Sequence, residues 1–281
     1  MSSTPITETR SRSDTTTVHV LHTGEVTIDR ALAFREQTRH PMPYTGWFRS
    51  KKKRITVPVS SYLIDHPEGY VLVDTGWHTD IRKHQRAHLG RLAYSMYQGR
   101  LPARQAVTEQ LAGMGIEPAD LSFVVLSHLH SDHASGVGLV EDASRIIVSD
   151  REWAARNDFG YIPSMWERIE IEPFAFEDLP YGPFGQALDL YGDGSIILVY
   201  TPGHSKGHLS VLTRTEAGWV LLVGDVGYAS ISWEQLILPG VTTGDEEMLV
   251  SLKWVRKVAE REDVAAVLAN HDPEVPGVTI G

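Results

Sequence analysis

The stretch SHLHSDH, residues 127–133, places three histidines and an aspartate within six consecutive positions. Directly before it, residues 121–126 (LSFVVL) form a short, β-branched, apolar run that predicts a buried strand. Because side chains alternate along an extended segment, His128 and His130 point to the same side and can bind one ion. The aspartate and the third histidine follow as the chain turns, and they can reach a neighbouring position. The spacing therefore predicts two adjacent metal ions.

The donor atoms of this stretch restrict which metals it can bind. Neutral imidazole and carboxylate suit zinc, and also iron, manganese or cobalt. The alternative interpretation is a polar loop whose histidines hydrogen-bond to the backbone. That alternative explains a single histidine well, but it explains H-x-H-x-D-H after a strand poorly. The chain has no cysteine, which excludes disulfides and thiolate ligands, so any metal must be bound through nitrogen and oxygen.

Size and composition are those of a globular protein. The chain has 281 residues, 42% of them hydrophobic and 22% charged, and one α/β domain of this length is ordinary. We predict a disordered leader over residues 1–16 and a single domain over residues 17–281. No apolar run approaches the ~20 residues that span a bilayer, and the leader has no apolar block typical of a signal peptide. We therefore expect a cytoplasmic protein that does not bind membranes.

The charge balance bears on the partners of the protein. The formal net charge of -10 argues against a nucleic acid, whose phosphates repel an acidic surface. The basic run at residues 51–54 (KKKR) is an exception, which we interpret as a solvated loop. Steering of an anionic substrate is the alternative for this run. The sequence leaves the oligomeric state open, with a homodimer as one candidate.

Further apolar runs predict more strands, and several of them end in ionisable side chains. Asp74 ends one strand, where it can either orient a metal ligand or cap a helix. Ligands of α/β sheets gather outside the carboxyl ends of strands, so we expect His204, Asp225 and His271 to converge with the histidine stretch. His208 is expected to support the site or the fold. The additional predicted strands are residues 17–22, 55–64, 70–73, 145–148, 195–200, 219–223 and 265–269.

Helical periodicity appears at three places in the chain. It predicts helices at residues 103–114, from residue 151 with Asp150 as the N-cap, and at residues 245–262, where an apolar face is expected to cover the sheet. Residues 153–191 contain aromatic residues without a clean period, which predicts core positions and a wall of an apolar pocket. Residues 77–99 are polar, which predicts a helical or loop excursion over the surface, and their histidines, His78, His84 and His88, are expected to face solvent. We interpret His19 and His22 as structural, and Pro58 as the mark of an edge or a bulge.

The ordered set of Asp74, H-x-H-x-D-H, His204, Asp225 and His271 resembles the five motifs of the metallo-β-lactamase superfamily. The resemblance covers nearly the whole chain after residue 17. It implies an α/β fold, a four-layer αββα sandwich with a dinuclear metal site at one edge of its sheets. Within the superfamily, the stretches VPVSSYLIDHPEGYVLVDTG (57–76) and TPGHSKGH (201–208), with Tyr228 three residues after Asp225, are similar to the N-acyl-homoserine lactonases.

The resemblance also implies roles for individual residues. Two divalent metal ions are implied, zinc foremost, with Tyr228 beside them. Three residues depart from the family pattern and concern substrate preference: Ser131 in place of an aromatic residue, Ser135 within the usual paired glycines, and Gly227 in place of serine. The implied ligands are His128, His130 and His204 for the first metal, Asp132, His133 and His271 for the second, and Asp225 as a bridge.

The implied reaction is the opening of the lactone ring of an N-acyl-homoserine lactone. Two divalent ions about 3.5–4 Å apart lower the pKa of a bridging water, and the resulting hydroxide attacks the carbonyl. Tyr228 would donate a hydrogen bond to the carbonyl oxygen, and Asp132 would pass a proton to the leaving alkoxide. A buried tyrosine with a satisfied hydroxyl is the alternative interpretation of Tyr228.

Other functions share this ligand set. The main alternative is a hydrolase of another lactone, similar to pyridoxolactonases, or of a related ester or thioester, similar to glyoxalase II. Glyoxalase-II-like enzymes use a C-terminal helical extension, whereas this sequence ends ten residues after His271. A flavodiiron-like protein is disfavoured because His130 stands where such proteins have a glutamate. A metal-binding module without catalysis is disfavoured by the complete ligand set with Tyr228.

Overall fold

The structure is a computed structural model that describes residues 15–281. Residues 1–14 of the predicted leader lie outside the described residues. The strands of the described part are β1 (Thr17–Asp29), β2 (Arg54–His66), β3 (Gly69–Val73), β4 (Gln98–Arg100), β5 (Leu121–Leu126), β6 (Ile146–Ser149), β7 (Glu172–Phe174), β8 (Glu177–Asp178), β9 (Gln186–Asp189), β10 (Ile196–Tyr200), β11 (Leu209–Thr215), β12 (Gly218–Leu222), β13 (Val264–Leu268) and β14 (Thr279–Ile280).

The helices are shorter elements, apart from two. They are α1 (Arg30–Ala33), α2 (Gln85–Met96), α3 (Val107–Gly113), α4 (Ser131–Ala134), α5 (Asp150–Ala155), α6 (Ser230–Gln235) and α7 (Asp245–Ala259). None of the helices over residues 15–281 is long and apolar enough to cross a membrane.

The strands form two mixed sheets. The first has the order β14-β1-β2-β3-β5-β6-β7, with β4 paired to β1, and the second has the order β13-β12-β11-β10-β9-β8. Strands joined by tight turns, such as β2 and β3, are antiparallel. β3 and β5 are parallel, because the long connection between them carries α2 and α3 over one face and returns the chain in the same direction.

Both faces of each sheet are covered, which explains why the strand sequences are apolar runs rather than alternating ones. On β5, Val125 packs between the two sheets, whereas Val124 and Leu126 pack towards the helices on the outer face of the first sheet. On the second sheet, the outer face packs against α7 through residues that include Leu252 and Leu221. The layers are therefore helix, sheet, sheet and helix, which confirms the predicted four-layer αββα fold.

The long helix α7 follows directly from its sequence. Met248, Leu252 and Val255 recur at helical spacing and are fully buried. Acidic residues occupy its first turn and basic residues its last turn, which complements the helix dipole. Ser251 donates a hydrogen bond to the carbonyl of Pro202, at 2.8 Å. α7 therefore fixes the position of the loop that follows β10.

Most predicted elements are present, with some differences in extent. Pro58 lies opposite an irregularity of β1, where the register shifts between His22 and Glu25, as expected for a bulge. The predicted N-cap Asp150 is wrong: the cap is Ser149, whose hydroxyl accepts a hydrogen bond from the Glu152 amide at 3.1 Å. The helix predicted over residues 103–114 is also shorter, because Arg104 has a left-handed conformation (φ 69°) before it. α7 ends three residues before its predicted end.

Candidate metal centre

The seven predicted ligands meet at one edge of the two sheets. They come from distant parts of the chain. Each lies in a loop or short helix that follows the carboxyl end of a strand. His128 and His130 follow β5, Asp132 and His133 lie in α4, and His204, Asp225 and His271 follow β10, β12 and β13.

The side chains form two groups on either side of one carboxylate. In the first group, donor atoms of His128, His130 and His204 lie within 4.8 Å of one another. His130 Nδ1 and His204 Nε2 are 2.8 Å apart, and His204 Nε2 is 3.3 Å from Asp225 Oδ2. In the second group, donor atoms of Asp132, His133 and His271 likewise lie within 4.8 Å of one another.

Asp225 stands between the two groups, with one oxygen towards each. Its Oδ2 faces the first group, whereas its Oδ1 lies 3.2 Å from His133 Nε2 and 3.3 Å from His271 Nε2. His271 Nε2 is also 3.5 Å from Asp132 Oδ2. This is the arrangement in which one carboxylate can contact two neighbouring cations.

Several buried atoms of this centre have no hydrogen-bond partner among the described residues. They are the Nε2 atoms of His128, His133 and His271, Nδ1 of His204 and Oδ1 of Asp225. An unsatisfied buried polar atom costs about 1–3 kcal/mol, so a native protein rarely leaves several of them together. Here the three orphaned Nε2 atoms and the carboxylate oxygen face the same space, and nitrogen and carboxylate oxygen are good ligands of divalent metals. The residues present therefore fit metal ions.

Partners behind the centre hold three of the five histidine rings in place. The opposite ring nitrogen, Nδ1, contacts Asp74 Oδ2 at 2.7 Å in His133, Ser127 Oγ at 3.0 Å in His128, and the Pro58 carbonyl at 2.8 Å in His271. Engagement of Nδ1 leaves Nε2 free for a metal. Asp74 also accepts hydrogen bonds from the amide and hydroxyl of Ser127, so it orients a candidate ligand and does not cap a helix.

Burial and neighbouring charge set the protonation of the centre. Burial holds the pKa of His128 and of His204 well below the ordinary value, which favours neutral imidazole. Burial also opposes the charged form of His133, but the carboxylates of Asp225 and Asp74 outweigh it and raise the pKa of this histidine. Burial alone would raise the pKa of Asp225, but His133, His271 and His204 outweigh it and hold this pKa well below its usual range. The carboxylate is therefore ionised and available to a cation.

Tyr228 lies beside the second group. Its ring stacks on that of His271, with centroids 4.8 Å apart and an interplanar angle of 21°. Burial, and then the carboxylates of Asp225 and Asp132, raise the pKa of Tyr228 well above its usual value. The phenol therefore keeps its proton at neutral pH and can donate a hydrogen bond.

His208 lies behind the centre, as expected. Its Nε2 accepts a hydrogen bond from the Asp225 amide at 2.9 Å, and its Nδ1 is 3.1 Å from the carbonyl of Thr201. At Gly224, which has a left-handed φ of 57°, a Cβ atom would lie 2.6 Å from His208 Nε2. His208 therefore fixes the turn that carries Asp225.

The three departures from the family pattern have local explanations. Ser131 Oγ is 2.8 Å from the hydroxyl of Tyr97, a side chain that the sequence reasoning missed. Ser135 Oγ accepts a hydrogen bond from the His78 amide at 2.9 Å. At Gly227, a Cβ atom would lie 3.0 Å from both Ser232 and Trp233, so α6 leaves little room for serine.

Other polar residues of the sequence lie outside the centre. His19 and His22 contact Thr279 and Ser60, at 2.8 and 3.0 Å, which agrees with structural roles. The lysines at residues 51–53 are exposed, as expected for a solvated loop.

The histidines of residues 77–99 fit the prediction only in part. The expectation of solvent-facing rings holds for His84, which is exposed. It is wrong for His78 and His88, which are half-buried and stack on each other, with ring centroids 5.3 Å apart.

The aromatic-rich segment is divided between core and site. Trp166 is buried in the helix-side core of the first sheet, and Phe159 is 85% exposed. Tyr161 packs its ring against His130, with centroids 5.4 Å apart, and donates a hydrogen bond to Glu152 at 2.6 Å. Glu152 is fully buried, and the sequence reasoning missed it because one glutamate in a short helix carries no distinguishing signal.

Comparison with known proteins places this fold and centre in a class. The family model described as the metallo-beta-lactamase superfamily matches residues 54–268, and the chain belongs to this superfamily. It is 33% identical to the N-acyl homoserine lactonase AttM of Rhizobium radiobacter over 224 residues, which are 78% of this chain and 83% of AttM. Within the superfamily, the chain thus belongs to the N-acyl homoserine lactonase family.

A second relative and a solved structure agree. The N-acyl homoserine lactonase AiiA of Bacillus thuringiensis subsp. kurstaki is 30% identical over 227 residues, which are 79% of this chain and 84% of AiiA. A structure of an N-acyl homoserine lactone hydrolase, with the product N-hexanoyl-L-homoserine bound at its catalytic metal centre, superposes with a TM-score of 0.76 at 25% identity. The superposition covers 93% of this chain and 95% of that one.

Proposed function

We propose that the protein is a metal-dependent hydrolase that opens the lactone ring of N-acyl-homoserine lactones. The observation that carries the proposal is the convergence of orphaned imidazole nitrogens and a carboxylate oxygen on one space, in a chain that is 33% identical to an enzyme of that name. The substrate is a small molecule, as the product-bound structure of a related hydrolase indicates.

The same geometry supports two metal positions. We assign His128, His130 and His204 to the first and Asp132, His133 and His271 to the second, with Asp225 between them. Zinc is the ion that best suits imidazole and carboxylate without thiolate, and iron, manganese and cobalt share these donors.

The chain supports the reaction through its own side chains. When bound, a pair of divalent cations supplies the acidity that makes water nucleophilic near neutral pH. Tyr228, held protonated by its surroundings, donates a hydrogen bond to the carbonyl oxygen of the lactone, where negative charge develops. This hydrogen bond is stronger in the transition state than in the ground state, so it lowers the barrier.

Asp132 is placed to move a proton. Its carboxylate is 18% exposed, whereas that of Asp225 is 2% exposed, and it contacts His271. A carboxylate at the open side of the centre can take a proton from the attacking water and pass it to the ring oxygen as the ring opens. Asp132 therefore acts as the proton shuttle in this proposal, and Asp225 as a fixed anion.

The chain ends support one domain over residues 17–281. Strand β14, at the C-terminal end, pairs with β1, at the N-terminal end, so that one sheet contains both. The ligands likewise come from residues 128 to 271, and both sheets contribute to the centre. We therefore propose that the catalytic unit is this whole segment.

The test is a substrate panel with and without a chelator. N-acyl-homoserine lactones with chains of different length, unsubstituted lactones and thioesters are compared by kcat/KM, and released acid is titrated against lost lactone. We expect the acyl-homoserine lactones to have the highest kcat/KM, one acid for each ring opened, and no turnover after chelation. A preference for thioesters, or turnover that survives removal of the metal, would contradict the proposal.

A further inference from the structure

Besides Asp74, a second buried carboxylate, that of Glu152, lies at the centre without being a candidate ligand. Glu152, in α5, is fully buried, and its two oxygens accept four hydrogen bonds. Oε1 accepts from the Leu129 amide at 3.0 Å and the Tyr161 hydroxyl at 2.6 Å. Oε2 accepts from the Ser205 hydroxyl at 2.7 Å and the Gly207 amide at 3.0 Å. Burying a carboxyl group costs free energy unless its oxygens accept hydrogen bonds, and here four donors have been brought to one side chain.

Three of the four donors come from the loops that carry the first group of ligands. Leu129 lies between His128 and His130, and Ser205 directly follows His204. Tyr161 reaches the same group from outside, because its ring packs against His130. A single carboxylate thus connects the loop after β5 to the loop after β10, and it does so next to all three histidines.

Helix α5 packs closely against the loop after β10. Ser149 Oγ donates a hydrogen bond to the Gly207 carbonyl at 2.6 Å. A Cβ atom at Gly207 would lie 2.0 Å from the Glu152 amide nitrogen, closer than any real contact. The helix and the loop are therefore in direct backbone contact, and a shift of one moves the other.

The second group is held by other partners. His133 is oriented by Asp74, and His271 by the carbonyl of Pro58, and neither contact involves Glu152. The described hydrogen bonds of Glu152 thus involve residues that neighbour ligands of the first group in sequence, Leu129, Ser205 and Gly207, or that pack on one of them, Tyr161.

We propose that Glu152 is a positioning residue that fixes the spacing of His128, His130 and His204, and thereby sets the metal affinity of the first position but not of the second. This inference rests on the ligand assignment proposed above. Partners that orient metal ligands typically change metal affinity about 10- to 100-fold when they are replaced. Glutamine cannot replace Glu152, because its NH₂ group would face either the Leu129 or the Gly207 amide donor.

The experiment measures zinc affinity, by competition with a chromogenic chelator, in backgrounds that each disable one position. H271A removes a ligand of the second position, so the first position should bind zinc more tightly. In this background we expect E152Q to weaken zinc binding about 10- to 100-fold. H204A removes a ligand of the first position, so the second position should bind zinc more tightly. In this background we expect E152Q to change the zinc affinity less than threefold. The matched control is E109Q, a glutamate on α3 paired with Arg82, which should leave both affinities unchanged.

The outcomes separate the possible errors. If E152Q weakens zinc binding equally in H204A and H271A, its effect is a general loss of charge or stability. If it does not weaken zinc binding in H271A, Glu152 does not position the first group of ligands. Either result overturns this inference and leaves the proposed function standing. Two tight metals in both H204A and H271A would overturn the ligand assignment and this inference with it. If E152Q does not fold, S205A and Y161F each remove one donor and should weaken the first position about two- to tenfold. Unchanged affinity in both of these variants would also overturn it.

Discussion

At the scale of single residues, replacement of Tyr228 tests a catalytic contribution that is separate from metal binding. The proposed ligands are histidine and aspartate side chains and do not include the Tyr228 hydroxyl, so Y228F should retain its metals. Loss of a hydrogen bond to developing negative charge should lower kcat on the order of 10²-fold. Steady-state kinetics and metal analysis of the same preparation measure both. Y181F, which alters a half-buried tyrosine packed near the second sheet, is the control, and unchanged kcat in Y228F would remove the tyrosine from the mechanism.

His66 predicts a pH dependence of stability that is unrelated to the metals. Its buried ring stacks on Tyr191 with centroids 4.5 Å apart, and its Nδ1 accepts a hydrogen bond from the Glu68 amide. Burial lowers its pKa below 6.5, although the carboxylates of Asp193, Glu68 and Asp65 partly oppose this shift. The unfolded chain therefore binds the proton at a higher pH than the folded chain does. As the pH falls below about 6.5, this histidine makes the free energy of unfolding smaller.

The comparison variant for this effect is H66Q, which cannot be protonated. Urea unfolding of wild type and H66Q at pH 7.5 and pH 5.5 should show that wild type loses more stability between the two conditions. Any effect of pH on the metal centre is shared by both proteins and cancels in the difference. Parallel losses would show that His66 does not titrate differently in the folded state.

How far the sequence predicts the centre depends on the kind of residue. The seven candidate ligands could be predicted because each is an ionisable side chain just after an apolar strand, a pattern visible in one dimension. Glu152 and Tyr97 could not, because their importance comes from contacts with residues 129, 161, 205, 207 and 131 that only folding creates. Asp74 is intermediate: the sequence left two roles open, and its 2.7 Å contact with His133 Nδ1 decides between them.

At the scale of elements, α7 provides a test of packing. Leu252 is fully buried against the second sheet, and truncation to alanine should lower the free energy of unfolding by about 2–5 kcal/mol. V250A removes methyl groups from a side chain that is 40% exposed on the same helix, and should change stability by about 0.5 kcal/mol or less. Urea unfolding measures both. Equal effects of the two variants would contradict the assignment of the buried face.

The elements that the sequence predicts well are those with a strong apolar period. Strands buried on both faces and the amphipathic α7 were predicted because their hydrophobic pattern is set by burial. β11 was not predicted, although it lies in the middle of the second sheet, because its residues LSVLTRT mix hydroxyl and charged side chains with apolar ones. For α2 the sequence leaves helix and loop open, since Gly90, with φ 75°, interrupts its helical geometry and its polar sequence has no clear apolar face.

At the scale of the whole molecule, the centre exists because two sheets end at the same edge. The first sheet contributes the loop after β5 and the second the loops after β10, β12 and β13, so correct packing of one sheet on the other is a condition for assembling the ligands. Bound metal should in turn stabilise the packed state, because it binds the folded chain and not the separated loops. The convergence could be expected from the family pattern, but the distances between side chains required the folded structure.

The central claim is that the protein opens lactones with two metal ions bound at this centre. The direct measurement is to strip the protein of metal, add zinc back stepwise, and follow acid release from N-hexanoyl-homoserine lactone at each step. The account predicts no turnover in the stripped protein and a rise that saturates at two zinc ions per chain. Full turnover without metal, or saturation with two zinc ions and no ring opening, would contradict it.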